Sequence, residues 1–594
     1  MITGIEIRET RPFVGGAAFG DVGAYVWIGG VAAGEIDPAH PGNTVIAGIE
    51  LAPRNAAGGV EYRSDFVVLR PADAAKGNGR LLYEVNNRGR KMIFASLCAG
   101  AAGNVPQKIE DCGNGFPLKR GFTLVWSGWD PGAPRANGGL ALDAPVVDVT
   151  RRIREEFISG TRLGTLETFR LSYDVVGRDG RLTVRRTQTG ARRDVPFEFI
   201  DSRSLRLLPA GTLPEPGSIY EFHYTATKPR LGGLGFAATR DLIAYLRHDP
   251  AGHEILGRAP SHALAFGISQ AGRYLRDHIA LGFNRDEDGR QVFDGVHTHV
   301  AGIGRVFHNA LFAQPARTRT WHEDHDFPEV EPPFSAADLL RGDKADPKLI
   351  ETNTSTEYWQ KGASLLHTDP DGTRDIAMPP AARGYLIAGT QHAGKAGMPR
   401  DSGPCRYPRN WHDPMPAVRA LLAALDAWVS TGREPPPSRL PRIDDGTLVP
   451  VDALRFPAIP GIEPPRFAND AAPLSDWVDP VPPQRAWRTL VPQVDDDGNE
   501  IAGIRLMDIA MPSGTHTGWN LYAPPYPAGE LADRDGSFFA FAATREERER
   551  SGDPRLSLAE RYPTVADRLA HVENVRATLH REGFLVTKED AGGV

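Results

Sequence analysis

The chain has 594 residues, more than one hydrophobic core usually supports, so several domains or one large decorated domain are expected. Its formal net charge of −7 offers no basic surface for phosphates, which argues against a nucleic-acid partner. Hydrophobic residues at 41% and charged residues at 24% are typical of a soluble globular protein rather than a disordered or membrane-embedded one.

The N-terminus and the cysteines indicate the cellular setting. Residues 1–13 lack the cationic start and apolar run of a signal peptide, and no apolar stretch reaches the ~18–20 residues that cross a membrane. We therefore expect a cytoplasmic protein with no membrane partner, unless a leader has been removed. The three cysteines are too few for a disulfide scaffold, and whether Cys98 and Cys112 pair is left open.

Residues 1–133 are predicted to form a β-rich N-terminal segment and the first part of a core sheet. Apolar runs that alternate with turn residues, as in residues 23–36, are typical of strands. Two continuous apolar runs, Leu81–Val85 and Gly121–Trp126, indicate buried strands of that sheet.

Residues 134–215 differ in character and are predicted to be a β-rich insertion. The turn residues Gly177–Gly180 separate two segments of alternating polar and apolar residues, which is the pattern of a hairpin. Such a hairpin between two parts of a core sheet adds strands without interrupting the core.

The core is predicted to resume over residues 216–435. A strand at Ser218–Thr225, a helix at Phe236–Leu246 and a further strand follow one another, and this order is typical of a parallel sheet flanked by helices. Arg240 and Asp241 are expected on the polar side of that helix.

The later core and the C-terminal part follow the same pattern. Buried strands are predicted at Lys348–Asn353 and Gly384–Gly389, and Met415–Ser430 has apolar residues along one face of a helix. Residues 436–594 are predicted to be a C-terminal segment packed on the core, with short strands first and helices towards the end.

The turn Gly267–Gly272 places Ser269 between an apolar strand and a helical pattern that begins at Arg273. A serine hydroxyl held out of the backbone at a tight strand-to-helix turn is a common arrangement for a nucleophile, because small neighbours leave room for the strand and the helix. Ala271 stands where the usual pattern has glycine, and it is small enough to fit. The alternative is a loop that glycine makes flexible.

A serine nucleophile needs a base and an acid that orients the base, and in this architecture they follow it in the order acid, then histidine. Glu357 and His392 each lie just past the end of a predicted buried strand, in that order. His297 and His299 are weaker candidates, because they come directly after the helix that follows Ser269.

An oxyanion hole needs two backbone N–H groups near the serine. The first is predicted to be that of Gln270, which directly follows Ser269. The second is predicted at Arg88 or Gly89, in the loop after an early core strand; a plain turn with a surface arginine is an equal alternative.

Aromatic residues near the predicted strand ends have two interpretations: they line a substrate pocket or they close the core. These residues are Trp126, Trp129, Tyr358 and Trp359.

Polar clusters give little sign of a metal. Asn284–Gly289 and Asp495–Gly498 begin like calcium loops but lack the acidic residue at the twelfth position, so both are predicted to be turns. His322–His325 is predicted to be a polar loop, with a metal site as the less favoured alternative. No metal and no organic cofactor are expected.

Several segments together resemble the bacterial "alpha/beta hydrolase domain" family of large hydrolases. The segments that carry the resemblance are Tyr83–Gly89, Gly267–Arg273, Asn353–Trp359, Gly389–His392, Asp497–Glu500, Thr517–Asn520 and Gly552–Arg555. The resemblance implies an α/β-hydrolase fold: a mostly parallel central sheet flanked by helices, here with the insertion and extra terminal segments. It also implies a serine hydrolase for carboxylic esters with Ser269, Glu357 and His392 as its triad.

A more distant resemblance is to glucuronoyl esterases, which also use serine, glutamate and histidine. Those enzymes place an arginine directly after the serine, where this chain has Gln270, so their sugar-acid substrate is not expected here. The predicted partner is a small-molecule ester, cleaved through an acyl-enzyme. The alternatives are acyl transfer by the same triad and a non-catalytic binding module.

Overall fold

The structure is a computed structural model. It describes residues 1–158, 168–187, 190–315, 330–395, 397–398, 401–469, 471–473, 475–479, 481 and 485–586. The predicted polar loop His322–His325 lies outside these residues.

The N-terminal part builds one half of a ten-stranded central sheet. Its strands are β1 (Ile2–Pro12), β2 (Tyr25–Ile36), β3 (Val60–Pro71), β4 (Arg80–Glu84), β5 (Thr123–Ser127) and β6 (Leu142–Asp143). β1, β2 and β3 form long antiparallel pairs, whereas β4 and β5 are parallel. The buried strands predicted at Leu81–Val85 and Gly121–Trp126 are confirmed as β4 and β5.

The next strands form two small antiparallel sheets beside the central one. They are β7 (Thr150–Ile158), β8 (Phe169–Arg170), β9 (Asp174–Arg185), β10 (Arg193–Asp194), β11 (Phe197–Asp201), β12 (Ser204–Leu207) and β13 (Ile219–Thr227). The hairpin pattern around Gly177–Gly180 lies within β9, whose two halves both pair with β13.

The assignment of Ser218–Thr225 to the parallel core was wrong. A strand is present, β13, but it pairs antiparallel with β7 and β9. Tyr220, Phe222 and Tyr224 point into a separate aromatic cluster of the insertion, with Phe169 among its members. Alternating aromatics predict a strand with one buried face, but they do not say which core that face covers.

The second half of the chain completes the central sheet with four parallel strands, β14 (His262–Ile268), β15 (Gly295–His299), β16 (Lys348–Thr354) and β17 (Ala382–Ile387). β14 also pairs parallel with β4, which joins the two halves. The C-terminal part adds short strands: β18 (Leu448–Val449), β19 (Val491–Pro492), β20 (Gly514–His516) and β21 (Phe538–Ala540).

Helices cover both faces of the sheet. In the described ranges they are α1 (Phe116–Lys119), α2 (Leu234–His248), α3 (Pro250–Leu256), α4 (Gln270–Ala280), α5 (Ala336–Leu339), α6 (Ser355–Gln360), α7 (Met415–Thr431), α8 (Met507–Ala510), α9 (Arg545–Ser551), α10 (Leu558–Arg561) and α11 (Val565–Arg581). None of them has the length and apolar character needed to span a bilayer.

Strand β14 shows how the two layers arise. Its residues Ala263 and Ala265 pack into the cluster that contains α2 and α4 side chains, whereas Leu264 and Phe266 pack into the cluster of α7. Successive side chains of a strand point to opposite faces, so an unbroken apolar run is buried on both sides. The sheet therefore lies between two helical layers, with the predicted helices α2 and α7 on opposite faces.

The polar face predicted for α2 is not exposed. Arg240 and Asp241 are buried and form an ion pair, with Nε and Oδ1 2.7 Å apart. Asp241 also accepts from the Tyr62 hydroxyl, and Arg240 bonds to Glu287. Polar residues on one side of a helix usually face solvent, but here the N-terminal strands cover this side of α2.

Cys98 and Cys112 are both buried free thiols. Burial raises the pKa of each thiol, so both stay protonated near neutral pH. The structure therefore favours the unpaired alternative.

Candidate active site

Ser269 lies at a strained turn between β14 and α4. Its φ of 57° and ψ of −117° are outside the regions that residues with side chains prefer. A Cβ at Gly267 would be 2.5 Å from the carbonyl oxygen of Ala271, so only glycine fits there. The pattern of small residues is thus explained by the close approach of the strand to the helix, and Ala271 fits as a buried residue.

Three side chains that are far apart in the sequence meet at the ends of the parallel strands. His392 Nε2 lies 2.9 Å from Ser269 Oγ, and His392 Nδ1 lies 2.5 Å from Glu357 Oε1. Ser269 follows β14, Glu357 is in α6 directly after β16, and His392 follows β17. The carboxyl ends of neighbouring parallel strands lie at one edge of a sheet, which brings these residues together.

Glu357 is fully buried and held in place by the start of its own helix. Its Oε2 accepts from the backbone N–H of Thr354 at 3.0 Å and from the Thr354 hydroxyl, which closes a capping box. Burial alone would raise the pKa of this carboxyl, but the His392 imidazole and the Thr354 hydrogen bonds outweigh it and lower the pKa. Glu357 is therefore a carboxylate that faces the imidazole.

A second buried glutamate, Glu500, supports the loops that carry Glu357 and His392. Its Oε2 accepts from Ser355 Oγ at 2.6 Å and from the backbone N–H of Gly389 at 2.8 Å. Burial raises the pKa of Glu500 to about 7. Sequence reasoning gave Glu500 no role, although it lies in one of the segments that resemble the family.

His297 and His299, the competing histidines, are buried in β15 behind the serine turn. Both lie within hydrogen-bond distance of Thr352 Oγ1. Burial lowers the pKa of both imidazoles, that of His299 to about 3, so both are neutral. The backbone oxygen of His299 accepts from the N–H of Ser269, which gives this strand a structural role at the turn.

The N–H groups near the serine differ in their availability. Gln270 is the first residue of α4, and the first N–H groups of a helix have no acceptor inside it. The N–H of Arg88 donates to Asn86 O at 3.0 Å, and that of Gly89 donates to Asn86 Oδ1 at 2.5 Å. To bind an oxyanion, the N–H of Arg88 or of Gly89 would have to release its acceptor on Asn86. The role of these two N–H groups in an oxyanion hole stays a prediction.

Asn87, in the same loop, makes a contact that the sequence did not suggest. Its side-chain Oδ1 accepts from the backbone N–H of Ala271 at 3.2 Å, in the first turn of α4. Its backbone is fixed by the hydrogen bond of its N–H to Arg90 O. The side-chain amide of Asn87 therefore lies against the serine turn.

The four aromatic residues considered for the pocket lie in the core. Trp126 donates to Glu84 and Trp129 donates to the backbone of Asn86, which gives each buried indole N–H an acceptor. The four, all at most 3% exposed, are Trp126, Trp129, Tyr358 and Trp359. Side chains without exposure cannot line an open pocket, so the structure favours the core interpretation.

The two polar sequences that begin like calcium loops are turns, as predicted. In the first, Asp286 Oδ1 accepts from the backbone N–H groups of Asp288 and Arg290. In the second, Asp495 Oδ1 accepts from those of Asp497 and Asn499. The carboxylates thus bind their own backbone.

A mostly parallel sheet between helices, with a serine at a strained strand-to-helix turn, defines an α/β-hydrolase fold. The family described as "Alpha/beta hydrolase domain" matches residues 212–593, more than half of the chain, and the chain belongs to this family.

Two solved structures match the chain weakly. An S-formylglutathione hydrolase from Agrobacterium tumefaciens is 12% identical with a TM-score of 0.21, over 64% of this chain and 90% of that one. The siderophore hydrolase EstA from Aspergillus nidulans is 13% identical with a TM-score of 0.20, over 60% and 87%. Similarity at this level gives no information about the reaction of this protein. No curated protein matches the chain.

Proposed function

We propose that this protein is a serine hydrolase that cleaves carboxylic esters through an acyl-enzyme intermediate. The observation that carries the proposal is the continuous hydrogen-bonded chain from Ser269 through His392 to Glu357, with heavy-atom distances of 2.9 and 2.5 Å. The first distance is within the range that proton transfer from a nucleophile to a base requires, and the second places the carboxylate against the imidazole that it orients.

In the first half of the reaction, His392 Nε2 takes the proton of Ser269 Oγ as that oxygen attacks the ester carbonyl. The tetrahedral intermediate collapses when the imidazolium gives the same proton to the leaving alcohol, and the acyl group stays on the serine. Glu357 holds the imidazole in the correct orientation and stabilises its positive charge. In the second half, a water molecule takes the place of the serine hydroxyl and releases the acid.

The oxyanion of the intermediate needs donors on the side of α4. The backbone N–H of Gln270 is the first, because it lies at the helix start directly after the nucleophile. We assign the second to the side-chain Nδ2 of Asn87, whose Oδ1 already contacts the next N–H of that helix. The predicted N–H groups of Arg88 and Gly89 are the alternative.

The test compares wild type with Ser269→Ala on p-nitrophenyl esters of graded acyl length. We expect the substitution to remove nearly all turnover of every ester that wild type cleaves, about 10³-fold or more. Ser551→Ala, at an exposed helix end, is the matched control and should keep the wild-type rates. Equal rates for wild type and Ser269→Ala would overturn the proposal, and product analysis with an added alcohol separates hydrolysis from acyl transfer.

A further inference from the structure

A cavity of about 780 Å³ lies between the insertion and the core. Its size is that of a site for a small molecule. Five cationic side chains line it: Arg88, Arg170, Arg203, Lys228 and Arg230. Two carboxylates, Asp130 and Asp174, line it as well.

The cavity lies beside the serine turn. Pro315 lines it, and the carbonyl oxygen of Pro315 accepts from the side-chain Nε2 of Gln270 at 2.5 Å. Arg88 lines it too, and its chain neighbour Asn87 binds the backbone of Ala271. These two contacts place the wall of the cavity next to the turn that carries Ser269.

The charge of the lining is positive on a chain whose net charge is −7. Arg88 pairs with Asp130, with Nε and Oδ2 2.5 Å apart, and Asp174 accepts from the Ser202 hydroxyl. His308, also in the lining, is fully buried, and burial lowers the pKa of its imidazole, so it is neutral. Five cations therefore face two carboxylates, one of which is already paired.

Three of the cationic side chains have N–H groups that remain unpaired among the described residues. Arg170 and Lys228 are exposed and form no ion pair within the part of the chain that the structure describes. Arg203 donates to the backbone oxygen of Ser172, while its Nε is buried without a hydrogen-bond partner among the described residues. Lys228 has a φ of 55°, which residues with side chains rarely adopt, and yet this position at the cavity holds a lysine.

We infer that the cavity binds a carboxylate on the part of the ester that does not react, so that the preferred substrates are anionic esters. Guanidinium groups match the planar geometry of a carboxylate, and a cluster of cations in a recess raises the local concentration of anions. This inference deepens the proposed function and rests on it.

The first experiment uses two pairs of substrates, each of which compares an anionic ester with its neutral methyl ester. Mono-4-nitrophenyl adipate against its methyl ester places the carboxylate on the acyl side, and 4-acetoxybenzoate against its methyl ester places it on the alcohol side. In at least one pair the anionic member should have a kcat/KM about tenfold higher, the effect of one favourable ion pair. The preference should fall as ionic strength rises from about 0.05 to 0.5 M.

The second experiment uses Arg170→Gln/Lys228→Gln, which removes two cations from the cavity at exposed positions. The ratio of anionic to neutral kcat/KM should fall about tenfold relative to wild type. Lys344→Gln/Arg433→Gln makes the same charge change at exposed sites elsewhere and should keep the wild-type ratio. An unchanged ratio in the cavity variant, or no preference in either substrate pair, would overturn the inference.

A binding measurement separates this inference from the proposed function. In Ser269→Ala, the anionic member of at least one of the two substrate pairs should bind more tightly than its methyl ester by calorimetry, and the difference should vanish when Arg170→Gln/Lys228→Gln is added. Equal binding of the two esters in both pairs would overturn the cavity site even where Ser269-dependent hydrolysis is found. Selective binding without any Ser269-dependent hydrolysis would support the site and overturn the proposed chemistry.

Discussion

At the scale of single residues, the proposed chemistry depends on side chains that hydrogen bonds to more than one neighbour hold in position. Glu357 contacts His392 through one oxygen and the start of its own helix through the other. Replacing it by glutamine keeps its volume but removes the negative charge that stabilises the imidazolium. We expect Glu357→Gln to lower kcat by about 10²- to 10⁴-fold with little change in KM.

Steady-state kinetics on a p-nitrophenyl ester check this prediction. Glu463→Gln, an exposed residue paired with Arg406, is the control and should behave as wild type. If Glu357→Gln kept the wild-type kcat, this glutamate would not act through His392.

Asn87 gives the second prediction at this scale. Asn87→Asp keeps the size of the side chain and an oxygen that accepts from the N–H of Ala271, but it removes the amide donor and adds a negative charge. We expect kcat to fall about 10²- to 10³-fold, the usual effect of losing one oxyanion donor. An unchanged kcat in a variant with the wild-type melting temperature would favour the N–H of Arg88 or Gly89 as the second donor.

At the scale of secondary-structure elements, the C-terminal part supports the two loops that hold Glu357 and His392. Ile504 exchanges backbone hydrogen bonds with Leu386 and Ala388 beside β17, and Glu500 bonds to the starts of both loops. A Cβ at Gly518 would be 2.3 Å from the Cβ of Ser355, so this chain segment packs directly on α6.

Glu500 should make stability depend on pH. Its pKa in the folded protein is about 7, above the ordinary value of 4.5, because of burial. A raised pKa means that the folded state binds the proton more tightly, so this contribution is complete below about pH 4.5 and is lost as the pH rises towards 7. The loss amounts to about 3 kcal/mol for a shift of this size.

Urea unfolding between pH 5 and 8 checks this prediction. Glu500→Gln cannot ionise, so its free energy of unfolding should fall less with rising pH than that of wild type. Glu434→Gln, at an exposed residue, should follow the wild-type profile. Parallel curves for wild type and Glu500→Gln would show that the carboxyl ionises in the folded protein as readily as in the unfolded chain.

The elements also show what the sequence could predict. That Ser269, Glu357 and His392 meet could be predicted, because each follows a strand in a local pattern and parallel strands bring their ends together. Strand β13 was placed in the wrong sheet because a local pattern does not specify the partner strand. Glu500 and the cavity cations depend on contacts between distant segments, which no local pattern records.

At the scale of the whole molecule, the insertion forms one wall of the cationic cavity beside the core that holds the serine. Under the two proposals, the insertion takes part in substrate recognition and the core carries the chemistry. Composition alone argued against phosphate-rich partners from the net charge of −7. A local excess of cations within an acidic chain is a property of the folded molecule, since the residues involved come from the insertion and from the loops of the core.

The most direct measurement is covalent labelling of the folded protein with a fluorophosphonate, followed by peptide mass spectrometry. We expect one adduct, on Ser269, whose formation slows strongly in His392→Ala because the serine has lost its base. Denatured protein should not be labelled. Folded protein that stays unlabelled, or an adduct on another residue with Ser269 unmodified, would contradict the assignment of Ser269 as the nucleophile.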